Sequence, residues 1–288
     1  CRRMTRVSAA LVSVIMPCYN DGRYIKEAID SLRRQTYSNF ELIIVDDGSD
    51  DSETVSILST LNDGKTTVLH TNHLRPAGAR NYGIERARGK YILPLDSDDT
   101  IEPTYLEKAV NVLETQPDIG VVYCQADLFG EKSGRWELPD YSRRAMLLDN
   151  IVFVTSMFYR SDWETVGGFK TNMDAGMEDY DFWLSILELG REIYQIPEVL
   201  FHYRIKPVSR TTSFQESCPQ VQQIYRRIFE NHKDFYKNNY DEVIPIMRDA
   251  LIEQIFLRKK LETELKMVQG VKNIPILGKF IKWIIEHN

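Results

Sequence analysis

The sequence is short of the residues that build thiolate metal sites, membrane spans and nucleic-acid grips. Its four cysteines, Cys1, Cys18, Cys124 and Cys218, are scattered, with no Cys-X-X-Cys pair. That spacing speaks against a zinc site and suits a reducing compartment. No run approaches the roughly 20 apolar residues of a membrane span. No signal peptide is evident, because the apolar stretch after the basic first residues leads straight into a strand. The start at Cys1 reads as a boundary within a longer chain. Positive charge is also lacking: 36 Lys and Arg face 42 Asp and Glu, a net charge of −6, which gives nucleic-acid binding no electrostatic support. The deficit is uneven. Residues 1–220 carry 24 basic against 33 acidic residues, whereas residues 221–288 carry 12 against 9, a basic tail on an acidic body. There is no internal repeat and no low-complexity tract.

What is present is core-forming sequence. With 43% apolar and 11% aromatic residues in 288, the chain can fold one large domain with a smaller appendage. Leu11–Met16, Glu41–Val45, Thr66–Thr71 and Lys90–Leu95 are short apolar runs that read as strands. Asp21–Gln35, Ser52–Leu61 and Ala77–Ala87 carry helical periodicity between them. Strictly alternating strand and helix with near-continuous Val/Ile/Leu strands means a mainly parallel sheet covered on both faces. After a helix from Pro103 to about Thr115 the pattern changes. Strands are expected at Gly120–Ala126, Ile151–Tyr159, Ile193–Ile196 and Leu200–Arg204, and a helix at Glu178–Leu189, so this half mixes in antiparallel strands. From about Gln220 the sequence turns helical and charged. The expected organisation is an N-terminal extension 1–10, a main α/β domain 11–214 and a helical region 215–288.

The most informative motif is Asp96-Ser97-Asp98-Asp99, at the end of the Lys90–Leu95 run. Packing gives no reason to gather three like charges, whereas a hard divalent cation bound to nucleotide phosphates does. The bland alternative is a helix cap, since Ser and Asp are good N-cap residues. Sheet topology weighs against it. In open α/β sheets ligands bind beyond the carboxyl ends of the strands, and three strand ends carry Tyr19-Asn20, Asp46-Asp47 and Asp96 to Asp99. A Gly-rich phosphate loop, as sugar nucleotidyltransfer would need, is absent from Pro17-Cys18-Tyr19-Asn20-Asp21-Gly22.

Six motifs in this order, Val12-Ser-Val-Ile-Met-Pro-Cys-Tyr-Asn20, Leu42-Ile-Ile-Val-Asp-Asp-Gly-Ser49, Gly78-Ala-Arg-Asn81, Asp96-Ser-Asp-Asp99, Gly167-Gly-Phe169 and Glu178-Asp-Tyr-Asp-Phe-Trp183, resemble the inverting glycosyltransferases of family 2, over about residues 11–210. The resemblance implies the GT-A fold: a Rossmann-like, mainly parallel sheet flanked by helices, here with a C-terminal helical extension. It implies transfer of a sugar from a nucleotide-sugar donor, with UDP the expected nucleotide, to a hydroxyl of a glycan or lipid-linked glycan in cell-envelope polysaccharide synthesis. A non-catalytic nucleotide- or glycan-binding module that kept the fold is the alternative.

By the same resemblance, Pro17, Tyr19, Asn20, Asp47, Arg80, Asp96 and Ser97 bind the donor nucleotide, and Arg75 is a weaker candidate. Asp47 would accept from the base, Tyr19 would lie against it, and Arg80 would reach the diphosphate or a base carbonyl. Asp98 and Asp99 would hold Mn²⁺ or Mg²⁺ in the DXD motif. Asp179 would be the catalytic base, with Glu178, Asp181 and Trp183 toward the acceptor; the alternatives are dipole stabilisation of acids in a first helical turn and core packing of the tryptophan. The chain departs from the family at Tyr203-Arg204-Ile205-Lys206, where many relatives carry a metal-binding histidine. Lys206 cannot ligate a metal while protonated, but it can contact phosphate. Ser209 and Arg210 lie in a loop that could close over the donor. The tail Val271–Asn288 has an apolar face and a basic rim. It fits either a membrane interface containing anionic lipid or a packed helix. The expected location is cytoplasmic, with peripheral contact at the inner membrane face under the first reading.

Overall fold

The structure, a computed structural model, describes residues 9–61, 64–207 and 217–272. Three parallel strands form its organising unit. β1 (Val12–Cys18) is buried almost throughout and lies between β2 (Phe40–Asp46) and β4 (Tyr91–Pro94), with β3 (Thr66–His70) outside β2. Burial on both faces is what the unbroken Val/Ile/Met composition anticipates. The parallel register runs from Val12↔Phe40 to Cys18↔Asp46 and from Val12↔Tyr91 to Ile15↔Pro94. All three strands therefore end at one edge, where Tyr19, Asp47 and Asp96 emerge.

The sheet continues with antiparallel and mixed strands in the order β3-β2-β1-β4-β8-β6-β9-β5. β5 is Thr100–Ile101, β6 is Ile119–Gly130, β8 is Met157–Tyr159 and β9 is Glu192–Ile205; the short β7 (Gly134–Arg135) pairs with β6. β9 lies parallel to β6 and antiparallel to β5, with Thr100 opposite His202. This pairing brings the end of β9 beside Asp98 and Asp99.

Helices α1 (Gly22–Arg33), α2 (Ser52–Thr60), α3 (Arg75–Ile84) and α4 (Tyr105–Thr115) connect these strands. α1 buries Ile25, Ala28, Ile29 and Leu32, the apolar stripe of an amphipathic helix. α3 sits against β1 and β2 because of Gly83: a Cβ there would meet Ile15 Cγ2 at 2.8 Å and Val45 Cγ2 at 3.0 Å. That close approach sets Arg80, one turn earlier, over the strand ends.

Three sequence expectations change in the second half. The expected strand Ile151–Tyr159 is reduced to Met157–Tyr159. Residues 151–153 are buried but irregular, tied by Asn150 Oδ1 to the Val152 N–H at 3.3 Å and by Ser156 Oγ to the Phe153 carbonyl at 2.6 Å. Such local side-chain bonds compete with a ladder. The two expected strands after residue 192 are one strand. Cys124 pairs with Ile196 and Gln125 with Val199, so Pro197 and Glu198 form a bulge that accommodates a residue unable to donate to the ladder. Two short helices, α5 (Arg143–Leu148) and α6 (Arg160–Val166), lie where no helix was expected. α7 (Glu178–Glu188) follows.

The chain divides into two compact units, Cys1–Phe235 and Tyr236–Asn288. The first includes α8 (Cys218–Asn231) and the start of α9 (Lys233–Asn238). The second is dominated by α10 (Tyr240–Lys272), whose Leu251, Ile255, Phe256, Leu261 and Leu265 are exposed. Among the described residues no helix is long and apolar enough to cross a membrane. The tail beyond Lys272, and the loop holding Ser209 and Arg210, lie outside the described residues.

Candidate active site

The edge formed by β1, β2 and β4 is a wall built from backbone and carboxylate. Asp47 leaves β2 with its N–H on the Cys18 carbonyl at 2.8 Å. Its carboxylate accepts from Thr71 Oγ1, the Leu74 N–H and the Arg75 N–H, each at 2.7 Å. These bonds hold the turn at residues 73–75, where His73 and Arg75 have φ of 52° and 62°, a left-handed conformation costly for non-glycine residues. Three bonds leave a carboxylate one of its roughly four acceptor positions. Tyr19 stands at this wall, 48% exposed, edge-to-face with His73 at 5.2 Å between centroids. Sequence reasoning did not single out His73, and the structure makes it the ring next to Tyr19. Pro17 is half-buried at the end of β1. Asn20 shapes the neighbouring turn: its side chain bonds Asp50 Oδ1 at 2.7 Å and accepts from the Asp50 and Asp51 N–H groups.

At the end of β4 the four-residue motif splits by environment. The Asp96 side chain is 32% exposed, and its Oδ1 accepts from Arg80 at 2.7 Å. Ser97 is buried and donates to Asp21 Oδ2 at 2.8 Å, facing α1. Asp21, at the N-cap position of α1, makes no side-chain cap bond; it accepts instead from Ser97 and from Lys206 Nζ at 3.1 Å. Asp98 Oδ2 lies 2.6 Å from Lys206 Nζ. Asp99 is buried, accepting from the Arg204 N–H at 2.8 Å. Burial raises the Asp98 carboxyl, with Lys206 opposing and Asp96 adding to the rise. Burial followed by the charges of Asp98 and Asp96 raises Asp99 further. Lys206 stays firmly charged: burial works against its ammonium, but Asp98 and Asp21 outweigh it.

The acidic turn of α7 faces the same edge. Met177, at φ 63°, precedes it. Glu178 is buried and accepts from Arg80 Nη1 at 2.8 Å. Asp179 is half-buried, accepts from its neighbour's Tyr180 N–H at 2.9 Å and is bonded by the Asn150 side chain. Burial, then the charge of Glu178, push it up to about 6, against Arg80, Tyr180 and Asn150. Two expected acceptor-side residues point elsewhere. Asp181 is fully buried at the back of α7, with its Oδ1 2.6 Å from Asn231 Nδ2 and 3.1 Å from His232 Nε2, and its Oδ2 3.4 Å from Lys170 Nζ. Burial would raise it, but His232, Asn231 and Lys170 hold it below the usual carboxylate range. Trp183 is buried, donating to the Val152 carbonyl at 2.9 Å, so it supports the 150–153 segment from the core.

Arg80, expected to bind the donor, is 3% exposed and bridges Asp96 and Glu178. Its neighbour Asn81 joins two motifs. Asn81 Nδ2 donates to the Phe169 carbonyl at 2.7 Å, and its Oδ1 accepts from the Phe169 N–H at 2.9 Å and Trp163 Nε1 at 3.0 Å. Gly168 adopts φ 80° beside it, and a Cβ there would lie 2.7 Å from Asn81 Oδ1; Gly167 has open space around it and serves as the left-handed C-cap of α6.

The donor set suits a hard divalent cation in one respect, its carboxylate oxygens, but each already has a protein partner: Lys206 for Asp98, Arg80 for Asp96 and the Arg204 N–H for Asp99. Among the described residues no three candidate ligands converge into a ready cage. Of the expected pair, Asp98 is reachable at 15% side-chain exposure, whereas Asp99 is turned inward onto Arg204. Asp98 with Asp96 is therefore the accessible pair.

The family model for Glycosyl transferase family 2 matches residues 13–171, more than half the chain. A protein described as an uncharacterized glycosyltransferase, RP339 of Rickettsia prowazekii, is 31% identical over 231 residues, covering 76% of this chain and 71% of that protein. An uncharacterized glycosyltransferase of Haemophilus influenzae is 31% identical over 264 residues, covering 83% and 87%. Protein y4gI of Sinorhizobium fredii is 33% identical over 233 residues, but the chain spans only 25% of its length. Among solved structures, S. aureus TarS in complex with UDP superposes with a TM-score of 0.60 at 22% identity, over 76% of this chain and 64% of that one. This is a likeness of fold.

Proposed function

The chain belongs to glycosyl transferase family 2, and from that premise we propose that it is an inverting transferase using a UDP-sugar donor. The proposed acceptor is a hydroxyl of a glycan or lipid-linked glycan in cell-envelope polysaccharide synthesis, on the cytoplasmic side. The observation that carries the reading is a single sheet edge holding three things: a buried acceptor beside an exposed ring (Asp47, Tyr19), a carboxylate cluster (Asp96, Asp98), and a carboxylate held near neutral pH (Asp179). The TarS structures with UDP and UDP-GlcNAc favour uridine as the base.

In the proposed reaction, Tyr19 lies against the base, and the remaining acceptor position of Asp47 takes a base N–H. Bound Mn²⁺ or Mg²⁺, held by Asp98 with Asp96, would supply charge neutralisation for the diphosphate. Asp179 takes the proton of the acceptor hydroxyl as that oxygen attacks the anomeric carbon. The bond from that carbon to the diphosphate oxygen breaks, and the nucleoside diphosphate leaves. One displacement inverts the anomeric centre, so one base suffices. A base titrating near 6 is ionised at neutral pH yet retains more proton affinity than an ordinary aspartate.

Calorimetric titration with UDP, GDP, dTDP and CMP, each with and without Mn²⁺, tests this. The expected result is tightest binding of UDP, strengthened by Mn²⁺ and weakened about tenfold or more, roughly 1.4 kcal/mol, in Asp98→Ala. A preference for GDP or dTDP would overturn the uridine assignment. Binding of none would favour a glycan-binding module that retains the fold.

A further inference from the structure

We propose that Arg80 is a positioning residue that clamps the donor carboxylate Asp96 and the acidic turn of α7 into one unit, rather than a contact to the donor. The inference rests on the transferase reading above and deepens it. Arg80 sits on α3, Asp96 beyond β4 and Glu178 at the start of α7, three elements with no covalent reason to hold register. One planar guanidinium spans them, with Nη2 at 2.7 Å from Asp96 Oδ1 and Nη1 at 2.8 Å from Glu178 Oε1. Both terminal nitrogens are committed, the side chain is 3% exposed, and its carbon centre lies 5.9 Å over the Phe169 ring. Its Nε–H is buried without a hydrogen-bond partner. A guanidinium placed only for its own stability would not leave that donor unmet. Here the two carboxylates dictate its position.

The clamp has two consequences. Asp96 presents its solvent-reachable side to the donor, so a donor engaging Asp96 bears on Arg80 from behind and through it on α7. Arg80 also sets the charge around the base. The groups facing Asp179 are Glu178, which repels its ionised form, Arg80, which favours it, and the Asn150 side chain, which bonds it; Asp96 lies beyond Arg80. Without Arg80, buried Glu178 and half-buried Asp179 would be adjacent acids lacking that guanidinium, and their repulsion would raise the Asp179 carboxyl. Lysine cannot replace the fork, because it offers a single nitrogen where two separate ones are used.

The experiment uses the full chain labelled with ¹³C at aspartate and glutamate carboxyls. The Asp179 resonance is assigned by its loss in Asp179→Asn and titrated by NMR, with UDP affinity measured in parallel. Arg80→Gln should move the Asp179 midpoint up by about one pH unit or more, with Arg80→Lys between it and the wild type. Glu178→Gln should move it down. UDP affinity in Arg80→Lys should stay within about threefold, less than 0.7 kcal/mol. An unchanged midpoint in Arg80→Lys and Glu178→Gln would overturn the proposal, and these two variants decide it where Arg80→Gln fails to fold. Loss of UDP binding with an unmoved midpoint would make Arg80 a donor contact instead. A wild-type chain that binds no nucleotide would remove the transferase reading, while the midpoints would still report on the clamp.

Discussion

The front and back of α7 carry the same residue type two positions apart, with opposite outcomes. Asp179 faces the sheet edge beside another acid and is pushed up to about 6. Asp181 faces away, toward His232, Asn231 and Lys170, and is held below the usual range. A step of two residues turns a helix by more than half a revolution, so the two carboxylates meet different neighbours. The front holds its charge at a cost. The back is neutralised by a buried histidine, itself raised despite burial by Asp181 and Glu188, with His232 Nδ1 2.6 Å from Glu188 Oε1. In the proposed reaction one face of the helix serves chemistry, while the other anchors α7 to α8 and its flank.

Substituting each face should separate those roles. Asp179→Asn should lower turnover by about 10²–10⁴-fold, the usual contribution of a general base, and leave UDP affinity within about twofold, under 0.5 kcal/mol. Steady-state kinetics with calorimetry checks both, and normal turnover would remove Asp179 from the mechanism. On the back, His232→Leu should destabilise the fold by about 1–3 kcal/mol, since buried Asp181 keeps Asn231 and Lys170 and Glu188 is part-exposed, measured by denaturant unfolding. The sign is definite. A histidine raised in the folded state stabilises fully below its unfolded value and loses that stabilisation as pH rises through the folded value. The gap between wild type and His232→Leu should therefore shrink above pH 6.5 and beyond.

The front should behave in reverse. An acid raised from 3.8 to about 6 burdens the fold above that range. Asp179→Asn should thus gain stability at neutral pH, by about 1–3 kcal/mol, an advantage that disappears as pH falls from 6 toward 4. In the wild type, the same ionisation should make turnover fall about tenfold per pH unit below pH 6. Smallest is the ring at the sheet edge: Tyr19→Ala should weaken UDP by about 0.5–1.5 kcal/mol, and an unchanged affinity would mean the base lies elsewhere.

The sheet edge was the most legible part of the candidate site. Apolar runs ending in Tyr19, Asp47 and Asp96 marked three parallel strand ends, and parallel order follows from strand–helix alternation alone. Asp46 Oδ1 holds the Ser49 N–H three residues on, whereas Asn20 reaches Ser49 and Asp50 across 29 and 30 positions, a contact no local reading supplies. The 150–156 segment misled, because its buried apolar residues look like strand while Asn150 and Ser156 bond their own backbone. Ser97, Arg80 and Asp181 were assigned to ligands because their motif neighbours are. The structure gives each a protein partner: Asp21 for Ser97, Asp96 and Glu178 for Arg80, His232 for Asp181.

What the sequence determined by itself was the alternating architecture, the edge where chemistry gathers and the residue types available there. Those features are local, written in periodicity and in motifs a few residues long. Only the tertiary structure decided which charges neutralise one another. Arg80 meets Glu178 across 98 positions and Lys206 meets Asp21 across 185, pairings fixed by the order of strands in the sheet. An ionisable group takes its properties from whatever lies within a few ångströms, and sequence distance carries no information about that neighbourhood.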